Sequence, residues 1–277
     1  MPILAEVIVA TFDNPRALDL CLSGLFVQDI GFFSVCVAED GMDEETSQVV
    51  RRWCEAFGAG RIKHVCQPHD GFRKNSILNK AIDRSSADYL IFIDGDCVPS
   101  AGFVRRHLAL ARPGRFLTGG VIRLSATVSE ALDSAMVASG DAFSPCWLRR
   151  QGVIRGFRNY LKSGMLPRAV AGLIEILTPV SRTWNGGNAS GWRKDIVAVN
   201  GFDEALTYGG EDIELGFRLN LAGIRGRHLR YSAPLLHLEH SRDYVDPEGV
   251  ACNLRYVDEV RRSGRLWAER GLRSKSS

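Results

Sequence analysis

No run of about eighteen uncharged apolar residues occurs in the sequence, so no membrane-spanning helix is expected. The first residues, Met1 to Ala10, lack a basic leader region, and Glu6 interrupts their apolar run. No cleavable secretory leader is therefore expected. Neither a CxxC pair nor a zinc-type spacing occurs among the seven cysteines, whose number is odd. That argues against a disulfide framework and fits a reducing cytoplasm, with the thiols serving as small buried hydrophobes. Repeats and low-complexity tracts are missing. So is a strong charge of one sign: the formal net charge of +3 is too small to argue for a nucleic-acid partner. No glycine-rich phosphate loop follows the first predicted strand, which leads into Thr11-Phe12-Asp13-Asn14-Pro15-Arg16. This weighs against a sugar nucleotidyltransferase.

What is present suits one large α/β domain: 277 residues, 45 % hydrophobic and 24 % charged. Strands are predicted at Glu6–Phe12, Phe32–Ala38, Ile62–Cys66 and Tyr89–Ile93. Helices between them run from Pro15 to about Gln28, from Asp43 to Phe57 and from Phe72 to Arg84. This alternation implies a parallel sheet with right-handed crossovers. A helix at Phe103–Ala111 and a strand at Phe116–Leu124, made irregular by Gly119-Gly120, come next. Residues 125–182 break the alternation. Trp184–Trp192 is glycine-rich and strand-like, Glu211–Ala222 is a helix stopped by Gly223, and Arg225–Tyr231 is a short strand. A polar helix is expected over 247–270. The pattern describes one core domain with an insertion.

The strongest local signal is Tyr89-Leu90-Ile91-Phe92-Ile93-Asp94-Gly95-Asp96. A buried strand ends in two carboxylates, at the sheet edge where ligands bind in open α/β folds. Two such acids repel, and a hard divalent ion shared with a phosphate would satisfy them; a simple Asp-Gly turn is the alternative. Thr11 and Asp40 also end strands and suit a nucleobase and its ribose, although capping competes as an explanation. Arg73 and Lys74 fall at a helix start, where an anion such as phosphate is favoured; Arg73 is read as the ligand and Lys74 as solvated. Gly209-Gly210 precede Glu211 and Asp212, so a carboxylate there can take a proton from a hydroxyl. His237 and His240 offer ring nitrogens to an ion. Trp184-Asn185-Gly186-Gly187-Asn188-Ala189-Ser190, with an indole at each flank, suits a sugar platform or else a close backbone contact.

Together these pieces resemble a family-2 glycosyltransferase of the GT-A fold, over roughly residues 5–242. The carriers are Ala10-Thr11-Phe12, Glu39-Asp40-Gly41, the helix from Arg73 to Ile82, and the DxD-like Asp94-Gly95-Asp96. Trp184–Ser190, Asn200–Glu204, Gly209–Asp212 and His240-Ser241-Arg242-Asp243 are similar to the acceptor half of galactosyl- and N-acetylgalactosaminyltransferases. The resemblance implies a Rossmann-like nucleotide-binding half with a mostly parallel mixed sheet flanked by helices. On it, residues 1–246 form the GT-A domain: 1–100 the nucleotide-sugar half, about 125–182 a helical basic insertion, and 183–246 the acceptor and catalytic half. Residues 247–277 form a terminal helix and tail.

The same resemblance implies an inverting, metal-dependent transfer from a nucleotide-diphosphate sugar, a UDP-hexose or UDP-N-acetylhexosamine, to a saccharide or lipid-linked saccharide. It assigns the base to Asp212 and acceptor orientation to Glu211. Thr11, Asp40, Arg73, Asp94 and Gly95 would bind the donor. Trp184, Gly187, Asn188 and Glu211 would bind the acceptor. Asp96, His240, His237 and Asp94 would hold Mn²⁺ or Mg²⁺. Polysaccharide or lipopolysaccharide synthesis is the setting it implies; a non-catalytic carbohydrate-binding protein on the same fold is the rival. In the insertion, Arg149, Arg150, Arg155, Arg158, Lys162 and Arg168 lie among apolar residues. They suit peripheral contact with an anionic membrane, a basic rim of the acceptor cleft, or a mobile lid.

Overall fold

The computed structural model describes residues 3–154, 157–163, 166–178, 183–241 and 245–273. The chain opens with β1 (Ala5–Thr11), α1 (Pro15–Phe26), β2 (Phe33–Glu39), α2 (Glu44–Phe57), β3 (Ile62–Cys66), α3 (Lys74–Arg84) and β4 (Tyr89–Asp94). Local chemistry starts the first helices. Pro15 stands in the first turn of α1, and the Asn14 and Asp43 side chains accept from Ala17 N and Thr46 N. The four strands are parallel, in the order β3-β2-β1-β4. Their side chains alternate between two cores. Val7, Val9, Ile91 and Ile93 lie on one face, Ile8, Leu90 and Phe92 on the other.

Next come β5 (Cys97–Pro99), α4 (Phe103–Leu110), β6 (Arg115–Thr118) and β7 (Ile122–Arg123). The one strand expected over Phe116–Leu124 is therefore two, in different sheets. The chain changes sheet at Gly119-Gly120. A Cβ at Gly119 would lie 2.2 Å from Asn188 Nδ2, and one at Gly120 2.9 Å from Arg230 Cγ, so the crossing needs glycine.

The stretch from 125 to 178 holds only short helices among its described residues: α5 (Ala126–Glu130), α6 (Ser134–Ser139), α7 (Pro145–Arg150), α8 (Phe157–Lys162) and α9 (Arg168–Leu177), with a 3-10 turn at Asp141–Phe143. Val128, Leu132, Val137 and Leu148 pack with Val98 and Ile122, which ties the insertion to the body. Glu175 on α9 accepts from Tyr231 N at 2.9 Å and Ser232 N at 3.0 Å. Arg155 lies outside the described residues, as do the side chains of Arg158 and Arg168.

The chain re-enters the large sheet with β8 (Asn188–Trp192), antiparallel to β4 and β6. It ends with α10 (Arg193–Ala198), α11 (Glu211–Leu221), β9 (Arg225–His228), β10 (Leu235–His237) and α12 (Pro247–Ser263). The large sheet is β3-β2-β1-β4-β8-β6-β9, mixed but mostly parallel, and β5-β10-β7 form a small one. α12 stops before the end expected from sequence, at Gly264 with φ 68°. The tail then turns back, and Arg273 N donates to Asn200 Oδ1 at 2.8 Å. None of the seven cysteines forms a disulfide; Cys21, Cys36 and Cys97 are buried, whereas Cys66, Cys146 and Cys252 are exposed.

One buried ion pair fixes α11. Arg218 Nε and Glu214 Oε1 lie 2.6 Å apart with both side chains fully buried. Arg218 also donates to the Val199 and Gly201 carbonyls. Burial pushes the Glu214 carboxyl up, against the pull of Arg218. Replacing Arg218 by Ala would strand that carboxylate and leave both carbonyls without this donor. The expected loss is about 3–5 kcal/mol of unfolding free energy. Urea denaturation measures it, and a loss under about 1 kcal/mol would contradict the pair's structural role.

Candidate active site

Parallel strands bring their carboxyl ends to one edge. The register sets Thr11 beside Glu39 and Ala10 beside Asp94. Thr11, Asp40 and Asp94 consequently border one cavity of about 630 Å³. Asp40 Oδ1 accepts from Gln67 Nε2 and Oδ2 from Arg73 N, both at 2.7 Å, which pins the start of α3 to this edge. Gly95 packs against Thr11: an added Cβ would stand 2.9 Å from Thr11 Oγ1.

Arg73 and Lys74 take opposite places from those expected. Arg73 Nη2 donates to Pro68 O at 2.8 Å and Nη1 lies 3.7 Å from Asp70, so the guanidinium turns off the cavity. Lys74 enters it and donates to Asp94 Oδ1 at 2.5 Å. The reason is charge. Burial works against the ammonium, but Asp94, Glu211 and Asp212 outweigh it and raise the lysine pKa.

Asp96 faces two imidazoles. β10 pairs with β5 so that His237 stands opposite Cys97, the neighbour of Asp96. His237 Nε2 lies 3.8 Å from Asp96 Oδ1 and His240 Nε2 3.1 Å from Oδ2. Each ring uses Nδ1 on a carbonyl: His237 on Leu238 O and His240 on Ser241 O, both at 2.7 Å. A carbonyl only accepts, so Nδ1 carries the proton and a neutral ring turns its Nε2 lone pair toward the carboxylate. Lone pairs facing a carboxylate need a proton or a metal ion between them. The Asp96, His237 and His240 donor atoms lie within 4.8 Å of one another, and Asp94, Asp96 and Cys97 form an adjoining group. Burial pushes the Asp96 carboxyl up; with protons on both rings and no ion between, the His240 hydrogen bond and the charges of His237, His240 and Lys74 hold it below its ordinary value. The residues fit a divalent ion, with Asp94 already engaged by Lys74. Arg242 and Asp243, further along this loop, lie outside the described residues.

Glu211 and Asp212 open α11 on the opposite wall. Gly209 and Gly210 both have φ 99°, which a side chain would resist. Glu211 folds back so that Oε2 accepts from Gly209 N at 2.8 Å. Asp212 Oδ2 accepts from Gly186 N at 3.0 Å. Burial and then the neighbouring Asp212 charge push the Glu211 carboxyl up, with Lys74 opposing.

The sugar platform expected at 184–190 is not on the surface. Trp184 is 1 % exposed and packs against Phe92, Phe116 and Phe202. Its size suits a core, and no acceptor reaches it. Asn188 is also buried and donates to Gly120 O at 2.9 Å, so it joins two chain segments. Gly187 does border the cavity, as room for Asp94: a Cβ would lie 2.9 Å from Asp94 Oδ2. The aromatic walls are elsewhere. Phe12 stacks on His69 with centroids 4.4 Å apart, and Phe72 meets Tyr208 edge-on at 5.7 Å. An aromatic Phe12 directly before the turn-type run Asp13-Asn14-Pro15 was the available signal for the first pair. Phe72 and Tyr208 are far apart in sequence and carried none.

Residues 6–154 match the family described as Glycosyl transferase family 2, and residues 179–241 match the N-terminal domain of galactosyltransferase. The first match covers more than half of the chain, and the protein belongs to glycosyl transferase family 2. Validoxylamine A glucosyltransferase of Streptomyces hygroscopicus subsp. jinggangensis is 30 % identical over 231 residues, 80 % of this chain and 52 % of that one. Chondroitin synthase of Pasteurella multocida is 23 % identical over 232 residues, 79 % of this chain and 23 % of that one. The chain thus spans about half the length of the glucosyltransferase it matches. Among solved structures, S. aureus TarS superposes with TM-score 0.61 at 15 % identity, covering 93 % of this chain and 39 % of that one. Mannosyltransferase PcManGT from Pyrobaculum calidifontis, in complex with GDP-Man and Mn²⁺, gives 0.58 at 16 % identity over 96 % and 62 % of the chains. The likeness is one of fold, and that fold is GT-A.

The histidine–aspartate group makes a direct prediction. Titrated with Mn²⁺ and followed by the EPR signal of the free ion, His240→Ala and Asp96→Asn should each bind at least about tenfold more weakly than the parent protein. Unaltered affinity in both, with the circular dichroism preserved, would remove the ion from this place.

Proposed function

We propose that the protein is an inverting, metal-dependent hexosyltransferase. It moves a sugar from a nucleotide-diphosphate sugar to a saccharide hydroxyl, in polysaccharide or lipopolysaccharide synthesis. One observation carries this reading: a metal-type donor set and a separate carboxylate, Asp212, face the same cavity beside strand ends suited to a nucleotide. In this scheme residues 1–100 hold the donor, 183–246 supply the catalytic and acceptor wall, 125–182 form a basic insertion, and 247–277 close the chain.

Thr11 and Asp40 receive the nucleoside, with Phe12 as a flat apolar wall. Asp96, His237 and His240 would hold Mn²⁺ or Mg²⁺, and Asp94, tied to Lys74, would face the ribose. When bound, the ion neutralises charge on the departing diphosphate. Lys74 takes over the cationic role first given to Arg73, because it is the one inside the cavity. Asp212 accepts the proton of the acceptor hydroxyl as that oxygen bonds to the anomeric carbon. The bond from that carbon to the diphosphate oxygen breaks on the opposite face, so the configuration inverts. Glu211, with its carboxyl pushed up, orients the acceptor.

A uridine donor is supported by S. aureus TarS 1-349 in complex with UDP-GlcNAc, which shares the fold at TM-score 0.60 and 14 % identity. The mannosyltransferase, with GDP-Man, is the reason to test other bases. Asp212→Asn should lower transfer by a factor of about 10² to 10⁴ while donor binding persists. Near-normal turnover by the purified variant would sink the assignment. Nucleotide release from UDP-, GDP- and dTDP-sugars with Mn²⁺ identifies the donor; release undiminished by chelation would end the metal reading.

Peripheral attachment at the cytoplasmic membrane face, near a lipid-linked acceptor, belongs to the same proposal. Among the described residues no helix is long and apolar enough to cross a membrane. However, α9 turns Leu173, Ile176 and Leu177 outward, 58 %, 63 % and 69 % exposed, and Arg149 and Arg150 are exposed on α7. Such a face suits a lipid surface. The protein should co-sediment with anionic vesicles at low salt; Leu173→Glu with Ile176→Glu should release it, and equal recovery of both proteins would contradict the contact.

A further inference from the structure

A second cavity of about 440 Å³ adjoins the first, and among the described residues its lining holds no acid. Arg123, Lys162 and Arg230 supply its charge, and the His228 imidazole also lines it. The elements explain the placement. The Gly119-Gly120 crossing leaves a trough between the sheets, and Arg230 lies across it with its Cγ over Gly120. α8 of the insertion delivers Lys162, whose Nζ donates to Val121 O at 3.3 Å on the floor. Neither Arg123 nor Arg230 has an ion-pair or hydrogen-bond partner for its side chain among the described residues. Cations gathered in a concave site repel and lose hydration; an anion relieves both.

The two cavities share Arg123 and Asn185. Asn185 Nδ2 donates to Gly119 O at 2.9 Å in the basic cavity, and the next residue, Gly186, donates to Asp212. Asn185, which lines both cavities, is thus the chain neighbour of the residue that donates to the proposed base.

We infer that the acceptor is acidic, and that a carboxylate or phosphate one sugar away from the reacting hydroxyl seats between Arg230, Lys162 and Arg123. This rests on the reading of Asp212 as the acceptor-side base. It gives the insertion a role in acceptor choice, through Lys162.

The test uses the full chain with three acceptors: a glucuronate-terminated disaccharide, its methyl ester, and a phosphate-bearing saccharide of equal size. Variants are Arg230→Gln and Lys162→Gln, which line only the basic cavity. The parent should prefer an anionic acceptor to the neutral ester about ten- to a hundredfold in kcat/KM. The variants should lose that preference through KM while keeping activity on the ester and donor hydrolysis in water. The free acid or the phosphate, whichever gains more, names the group. Equal use of acid and ester by the parent overturns the inference, as does full preference retained in both variants. If no acceptor turns over, calorimetry of the three compounds with UDP and Mn²⁺ present decides in the same way. Loss of donor hydrolysis in the parent would instead count against the glycosyltransferase reading.

Discussion

Repulsion among carboxylates governs this site. Asp94, Asp96, Glu211 and Asp212 come from two walls and face one cavity, and such a cluster is stable only with cations in it. Lys74 divides the problem. Its ammonium holds Asp94 and lies in the field of Glu211 and Asp212. A cation in the first turn of a helix opposes the macrodipole, so α3 carries it there because the acids offset that cost. Asp96 is left to the two imidazoles, whose Nε2 atoms turn toward it. The cavity thereby has one half neutralised by the chain and another, at Asp96, whose charge a proton or a cation would balance.

Distant contacts hold these groups in place. β10 adds to β5 and carries His237 to the neighbour of Asp96. On the far wall, Arg218 clamps α11 to the loop that carries Val199 and Gly201, and Gly216 lets that helix approach Trp184, where a Cβ would stand 2.4 Å from Trp184 N. Glycine also stands where a cavity carboxylate or a chain crossing takes the room of a side chain, as at Gly187 against Asp94 and at Gly119 against Asn188. The insertion, packed on the small sheet, carries Lys162 to the basic trough that adjoins the acidic cavity.

The strand–helix pattern of the first hundred residues was readable, because buried parallel strands are apolar runs and their helices carry one apolar face. The acids Asp94, Asp96, Glu211 and Asp212 and the histidines His237 and His240 were readable as candidates because each follows a strand or opens a helix. The readings that failed concern direction. Trp184 among glycines looks the same on a surface as in a core, and it is in the core. Arg73 and Lys74 are adjacent cations at one helix start, and one residue of rotation sends the first outward and the second inward. The Gly119-Gly120 irregularity was visible, but its meaning, a change of sheet, depends on Asn188 and Arg230 from far along the chain.

Residue types and their spacing therefore establish which local elements form and which carboxylates and imidazoles end them, since periodicity and capping are properties of near neighbours. Packing alone settled which of those groups meet. Lys74 reaches Asp94, His240 reaches Asp96, and Asn185 divides two cavities only after strands distant in sequence pair. Electrostatic interactions among these groups act over a few ångströms in space, a distance that separation along the chain does not encode.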